Sequence, residues 1–240
     1  MAFDTKTFRT RALTAIVFVV VMLVGLLWNA WSFSILLTII HFGCWFEFIK
    51  LLKRINPTGF GYYLPLGLLY ITLPVLLIVN FGFPNTNHWL YQNGYEDAFQ
   101  YSPIIPCGII FSIWINDTMA YIVGSFIGKT PLSKISPKKT WEGTMAGIIL
   151  CMLVGGFVIG PMLNYFFGGE NYVSRVDWFV VAGIAGVFGT MGDLLESKLK
   201  RMAQVKDSGT IMPGHGGFLD RFDSLLIVST VIGIYYIFYM

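Results

Sequence analysis

The residues best equipped for chemistry stand together towards the C-terminal end of the chain. They run Ser197, Lys198, Lys200 and Arg201, then Lys206, Asp207 and Gly209, then Pro213, Gly214, His215, Gly216, Gly217, Asp220, Arg221 and Asp223. With Asp193 just upstream, acids, bases, a histidine and a glycine-rich turn lie between two long apolar runs. Such an inventory can hold a metal ion and a polyphosphate beside a bilayer. On a helix, Asp193, Glu196, Ser197 and Lys200 fall at i, i+3, i+4 and i+7 and form one polar stripe, for which a solvated helix face is the plain alternative. Asp220 and Asp223 are again i, i+3, and Ser224 completes their turn. Two such carboxylate pairs brought together suit a hard cation such as magnesium, which takes a few carboxylates and leaves positions for substrate phosphates. Between the pairs, Pro213 to Gly217 can expose successive backbone N–H groups, the property of a phosphate cradle. His215 can hydrogen-bond a phosphate or a ligating carboxylate, or serve only the turn. A zinc site is not expected, because no second His or Cys lies near.

Two further groups belong to the same chemistry. Asp117 interrupts an apolar run, and an acid so placed costs roughly 2.5 to 3.5 kcal/mol on insertion scales unless it faces a wet or paired site. A buried hydrogen bond to Asn116, Thr118 or a neighbouring helix is the alternative. Ser136 to Gly143 enters another apolar run: Pro137 fixes the loop, Thr140 is placed as an N-cap, and Lys138 and Lys139 stand beside the positive end of the helix dipole. This arrangement favours an anion. A positive anchor with a helix cap would use the same residues.

The elements that must position these groups are membrane helices. With 240 residues, 55% hydrophobic and only 12% charged, the chain is too apolar for a soluble domain. An all-α polytopic integral membrane protein with about seven transmembrane helices is expected. The apolar runs are 12–28, 31–49, 60–81, 104–127, 141–163, 178–191 and 222–240. No small-residue cleavage site follows the first run before Trp28 and Trp31, so that run is expected to stay. With the N-terminus cytoplasmic, fifteen of the sixteen Lys and Arg fall inside, at Lys6 to Arg11, Lys50 to Arg54, Lys129 to Lys139 and Lys198 to Arg221, and only Arg175 falls outside. Loops 128–140 and 193–222 are then cytoplasmic. Residues 1–101 read as a scaffold and 102–240 as the catalytic region. His41 and Glu47 are expected to be interfacial or helix-packing polar groups, and His88 to be exposed in an external loop. Gly143 and Gly147, and the track Gly183, Gly186, Gly189 and Gly192, predict close helix contacts. Cys44, Cys107 and Cys151 lie in apolar runs and read as core hydrophobes rather than disulfides. The concentrated positive charge suits lipid headgroups and nucleotides, and nucleic-acid binding is not implied.

These motifs together resemble the phosphatidate cytidylyltransferases, also called CDP-diacylglycerol synthases. The stretch Ser197 to Asp223 carries the resemblance, joined by Asp117-Thr118 with Ala120-Tyr121, Ser136 to Gly143, and Gly192 to Ser197. Met119 stands where that pattern has glycine, and Met212 where Leu, Ile or Phe is usual; neither change removes a ligand. The resemblance implies transfer of a cytidylyl group from CTP to phosphatidic acid at the cytoplasmic face of a bacterial-type inner membrane, with magnesium and a second cation. It assigns Asp193, Asp220, Glu196 and Asp223 to metal. It assigns Lys138, Lys139, Lys200, Arg201, His215 and Arg221, with Asp193 and Asp220, to catalysis. Asp117, Ser136, Thr140, Glu142, Ser197, Lys206, Asp207, Gly216 and Gly217 are assigned to substrate. Membrane lipid is an expected partner, and so is a second copy of the chain in a homodimer. The alternatives are a CTP-dependent polyisoprenoid-alcohol kinase and, from a different class, a membrane transporter.

Overall fold

In a computed structural model of the chain, residues 5–83, 101–168, 173–211 and 216–239 are described. His88 and the segment from Met212 to His215 lie outside them. Seven helical rods make up the described chain: α1 (Thr5–Leu27), α2 (Ala30–Ile55), α3 (Phe60–Gly82), α4 (Ile104–Ile127), α5 (Trp141–Gly168), α6 (Arg175–Met202) and α7 (Leu219–Tyr239). Six are long and apolar enough to cross a bilayer, and the first carries a shorter apolar helix, Ala12–Leu27. The short run expected at 178–191 belongs to a helix of 28 residues, because its polar stripe continues the same rod to Met202. Large apolar side chains such as Phe42, Phe126, Phe157 and Phe166 stand on the outside of the bundle, a surface that only lipid covers favourably.

Local sequence explains where the rods start and bend. Asn29 and Ser32 form a reciprocal capping box at the start of α2, and Ser174 accepts the Asp177 N–H at the start of α6. A wide π-turn at Leu68–Thr72 lies immediately before Pro74, and another at Gly155–Ile159 lies just before Pro161. Proline lacks the N–H that the preceding turn would accept, and a wide turn accommodates the loss.

Glycines set the close approaches between helices. A Cβ at Gly143 or Gly147 would collide with α4 at Ala120, and one at Gly192 would lie 2.6 Å from the Asp223 carbonyl on α7. The glycine track on α6 drifts around the helix: Gly183 and Gly186 face Met152 and Ile148 of α5, whereas Gly189 and Gly192 face Ser224 of α7. Gly108 and Gly160 make room for the fully buried Trp178 ring. The three cysteines are buried and free, and His41 serves packing through Thr72, whose hydroxyl also accepts the Trp45 indole N–H.

Neighbouring rods alternate in direction, so the ends of α2, α4 and α6 meet the starts of α5 and α7 at one end of the bundle. At the opposite end the Tyr235 hydroxyl of α7 donates to Asp177 of α6 at 2.6 Å, and the Tyr101 hydroxyl donates to the Leu26 carbonyl.

Candidate active site

A cavity of about 480 Å³ opens among α4, α5, α6 and α7, with Phe18 of α1 on its apolar side. The close α4–α5 contact at Gly143 sets Asp117 opposite the residues that begin α5. Lys138, Lys139 and Thr140 form that wall, and Thr140 caps the helix by accepting the Gly143 N–H at 3.2 Å. The α6–α7 contact at Gly192 brings Asp193 beside Asp220, Arg221 and Asp223 on a third wall. Four carboxylates and three basic side chains therefore share one cavity, although 103 residues of chain separate Asp117 from Asp220.

The charges are already paired across the space. Lys139 Nζ lies 2.5 Å from Asp193 Oδ2, and the Ser197 hydroxyl donates to the other oxygen of Asp193 at 3.2 Å. Asn116 holds Asp117 through a 3.4 Å contact from its side-chain amide. Asp223 is buried, and one of its oxygens accepts the Ser224 N–H at 2.6 Å; the Ser224 hydroxyl in turn donates to the Gly189 carbonyl.

Asp220 is engaged differently. One oxygen accepts Lys200 Nζ at 2.6 Å, and the other accepts the Ser208 N–H, the Ser208 hydroxyl and the Gly217 N–H at 2.8 to 2.9 Å. Lys200 also lies 2.5 Å from Glu196, which is buried and does not line the cavity. The expected stripe on α6 is thus divided: Asp193 faces the cavity, while buried Glu196 and Lys200 form an ion-paired cluster with Asp220, which stands at the cavity wall. Such a cluster holds a loop rigidly, because removing one partner leaves a buried charge uncompensated.

The remaining expected residues separate by position. Glu142 accepts the backbone N–H groups of Lys129 and Thr130 at 3.2 Å, so it folds the loop before α5 and lies outside the cavity lining. Ser136 accepts the Lys139 N–H through its carbonyl within the same loop. Arg201 is exposed and donates to the Val205 carbonyl in the turn after α6 at 3.1 Å. Lys206 and Asp207 line a second, smaller cavity of about 240 Å³ with Lys50 and Arg54 of α2. Gly216 takes a φ of 82°, a left-handed conformation that glycine adopts without strain, as a phosphate cradle or a tight turn requires. Polar residues outside the expected set also line the cavity, among them Ser125, Thr144 and Thr190, and Asn116 stands there beside Asp117. For the two threonines the signal was helical spacing, since Thr190 precedes Asp193 by three residues and Thr144 follows Thr140 by four.

No three His, Cys, Asp or Glu side chains among the described residues are grouped to hold a metal by themselves. The donor set still fits magnesium, which binds through one or two carboxylates together with water and substrate phosphate. Asp117, Asp193 and Asp223 all face the cavity; the first two are held by side chains, and Asp223 gives one oxygen to the Ser224 N–H. Glu196 and Asp220, also expected as ligands from sequence, both pair with Lys200, and Asp220 accepts the Ser208 and Gly217 N–H groups as well.

A cavity among membrane helices, walled by carboxylates and lysines with a capped helix N-terminus between them, defines an integral membrane protein with a charged site inside its bundle. The chain belongs to the cytidylyltransferase family, whose sequence pattern matches residues 94–239. It is 32% identical over 238 residues to a phosphatidate cytidylyltransferase of Rickettsia felis, covering 97% of this chain and 93% of that relative. A phosphatidate cytidylyltransferase of Staphylococcus haemolyticus is 44% identical over 123 residues, 51% of this chain and 45% of the relative. Phosphatidate cytidylyltransferase 5, chloroplastic, of Arabidopsis thaliana is 43% identical over 126 residues, 52% of this chain and 29% of the relative.

Proposed function

We propose that this protein transfers a cytidylyl group from CTP to phosphatidic acid, giving CDP-diacylglycerol and pyrophosphate. The observation that carries this reading is the convergence of Asp117, Lys139, Asp193 and Asp223, from four separate motifs, on one cavity among the helices. The full-length similarity to proteins of that activity supports it. In the reaction a phosphate oxygen of the lipid forms a bond to the α-phosphorus of CTP, and the bond from that phosphorus to the β-phosphate bridge oxygen breaks. The lipid phosphate is ionised at neutral pH, so a strong general base is not required. Alignment and charge neutralisation then carry the rate.

Lys138, Lys139 and Arg221 meet the triphosphate and the lipid phosphate on opposite walls, and the α5 N-terminus adds its dipole. Asp193 and Asp223 would hold magnesium, and Asp117 faces the same space for a second cation. Bound there, the metal would neutralise the reacting phosphate and the leaving pyrophosphate. The smaller cavity with Lys50, Arg54 and Lys206 adds positive charge where nucleotide approaches.

The membrane in this reading is the bacterial inner membrane, with the cavity facing the cytoplasm because the basic residues gather at that end. Residues 1–101 act as scaffold for the catalytic region 102–240. A homodimer is part of the same reading, tested by the mass of the protein in defined nanodiscs.

The deciding experiment supplies the purified protein with CTP, phosphatidate and magnesium and follows the phosphorus-containing products. Pyrophosphate and CDP-diacylglycerol are expected, and a chelator should abolish both. Formation of CDP with a polyisoprenoid alcohol would replace this reading with the kinase. Solute flux without nucleotide turnover would replace it with a transporter.

A further inference from the structure

Glu47 lies on α2, outside residues 94–239 and outside every motif that suggested the activity. It is one of three acids between Lys6 and Ile115, with Glu96 and Asp97, and it is 1% exposed. A buried carboxylate needs donors, and its donors come from the opposite end of the chain. Its Oε2 accepts the Leu219 N–H at 2.9 Å and its Oε1 accepts the Phe218 N–H at 3.0 Å. The Ser208 hydroxyl lies 2.6 Å from Glu47 Oε2 and 2.8 Å from Asp220 Oδ2.

The two N–H groups open α7, where the first helical donors have no partner within the helix. Glu47 therefore caps α7 from another helix, and its negative charge sits at the positive end of that dipole. Gly209 and Gly217 pack directly on the carboxylate, and a Cβ at either position would overlap its oxygens. Two glycines of the polar loop thus have a physical cause: they let the backbone close around this side chain. Beyond Ser208 the contacts continue to Asp220, and from Asp220 to Lys200 and Glu196. Glu47 does not reach the larger cavity itself; Asp220 does.

We infer that Glu47 is a positioning residue for the reaction: it caps α7, holds Ser208, Gly209 and Gly217 around itself, and through Ser208 fixes the Asp220 carboxylate at the cavity wall. The inference rests on the cytidylyltransferase reading for its catalytic consequence and on geometry alone for the clamp. The N-terminal half is then more than a scaffold, since it supplies the post on which the catalytic loop is folded.

The test uses the full chain in lipid nanodiscs with Glu47→Gln, Ser208→Ala and the double variant. Glu47→Gln exchanges an acceptor oxygen for an amide that opposes the Phe218 or Leu219 donor. Hydrogen exchange at 216–220, measured without substrate, should accelerate by about tenfold or more, the effect of losing a buried charged acceptor. Unchanged exchange would overturn the clamp, whatever reaction the protein performs. Under turnover with CTP and phosphatidate, each single variant should lower kcat about tenfold while the KM for phosphatidate holds, and the double variant should be no worse than Glu47→Gln. Fully additive losses, or a change in KM alone, would overturn the link through Ser208. If Glu47→Gln does not accumulate, Ser208→Ala, which removes a single oxygen, carries the same exchange and kinetic comparison. A wild-type protein with no cytidylyl transfer would sink the proposed function and leave the exchange result to decide the clamp.

Discussion

Acidic residues in this site divide by what already occupies their oxygens. Asp193 and Asp223 face the cavity, with one lysine and a few short-range donors as partners, whereas Asp220 is bound by Lys200, Ser208 and Gly217. Replacing Asp193 or Asp223 by Asn should therefore lower kcat by about 100-fold or more while leaving the fold intact, as for loss of a group aimed at developing charge. Asp220→Asn should lower activity and also loosen the loop, because Lys200 and Glu196 lose the partner that balances them. Steady-state kinetics beside thermal unfolding separates the two outcomes. Equal loss of stability in all three variants would contradict the division. Motif reading alone placed all of these acids, with Glu196, in one metal set, because helical spacing reports a shared face and not which oxygens a neighbouring loop has taken.

Helix contacts decide whether these side chains meet at all. The α4–α5 approach at Gly143 and the α6–α7 approach at Gly192 admit no side chain, and each lies within a turn of a cavity residue. Gly143→Val or Gly192→Val should destabilise the protein by about 1–3 kcal/mol through overpacking. Each should also depress turnover more than that loss of stability explains, since spreading the helices separates Asp117 from Lys139 in the first case and Asp193 from Asp223 in the second. Gly61, where a Cβ meets nothing within 4 Å, serves as the control and should tolerate the same change. A Gly192→Val protein with normal kcat would show that the α6–α7 spacing is not needed for the chemistry.

At the scale of the whole molecule, the alternation of seven rods gathers the end of α6 and the starts of α5 and α7 around a cavity that reaches in to Ile113, Trp114 and Asp117 at the middle of α4. Single cysteines placed at Lys134 and Arg175, in a background lacking the three buried cysteines, should label from opposite sides of intact membrane vesicles, Lys134 from the cytoplasmic side. Reversed labelling would invert the orientation. Length, apolar runs and the distribution of Lys and Arg carried the membrane class and helix count from sequence alone, because the bilayer requires each span to satisfy its own backbone and to hide its own apolar length. The motifs of the second half likewise announced the inventory of the site, since phosphate and cation binding demand particular residue types close together in the chain. Which acids face the cavity, and the reach of Glu47 from α2 to Ser208, 161 residues later, were decided by the tertiary structure. Such contacts arise only when helices distant in sequence pack side by side, and a single buried carboxylate in an apolar run carries no mark of the partner it will find.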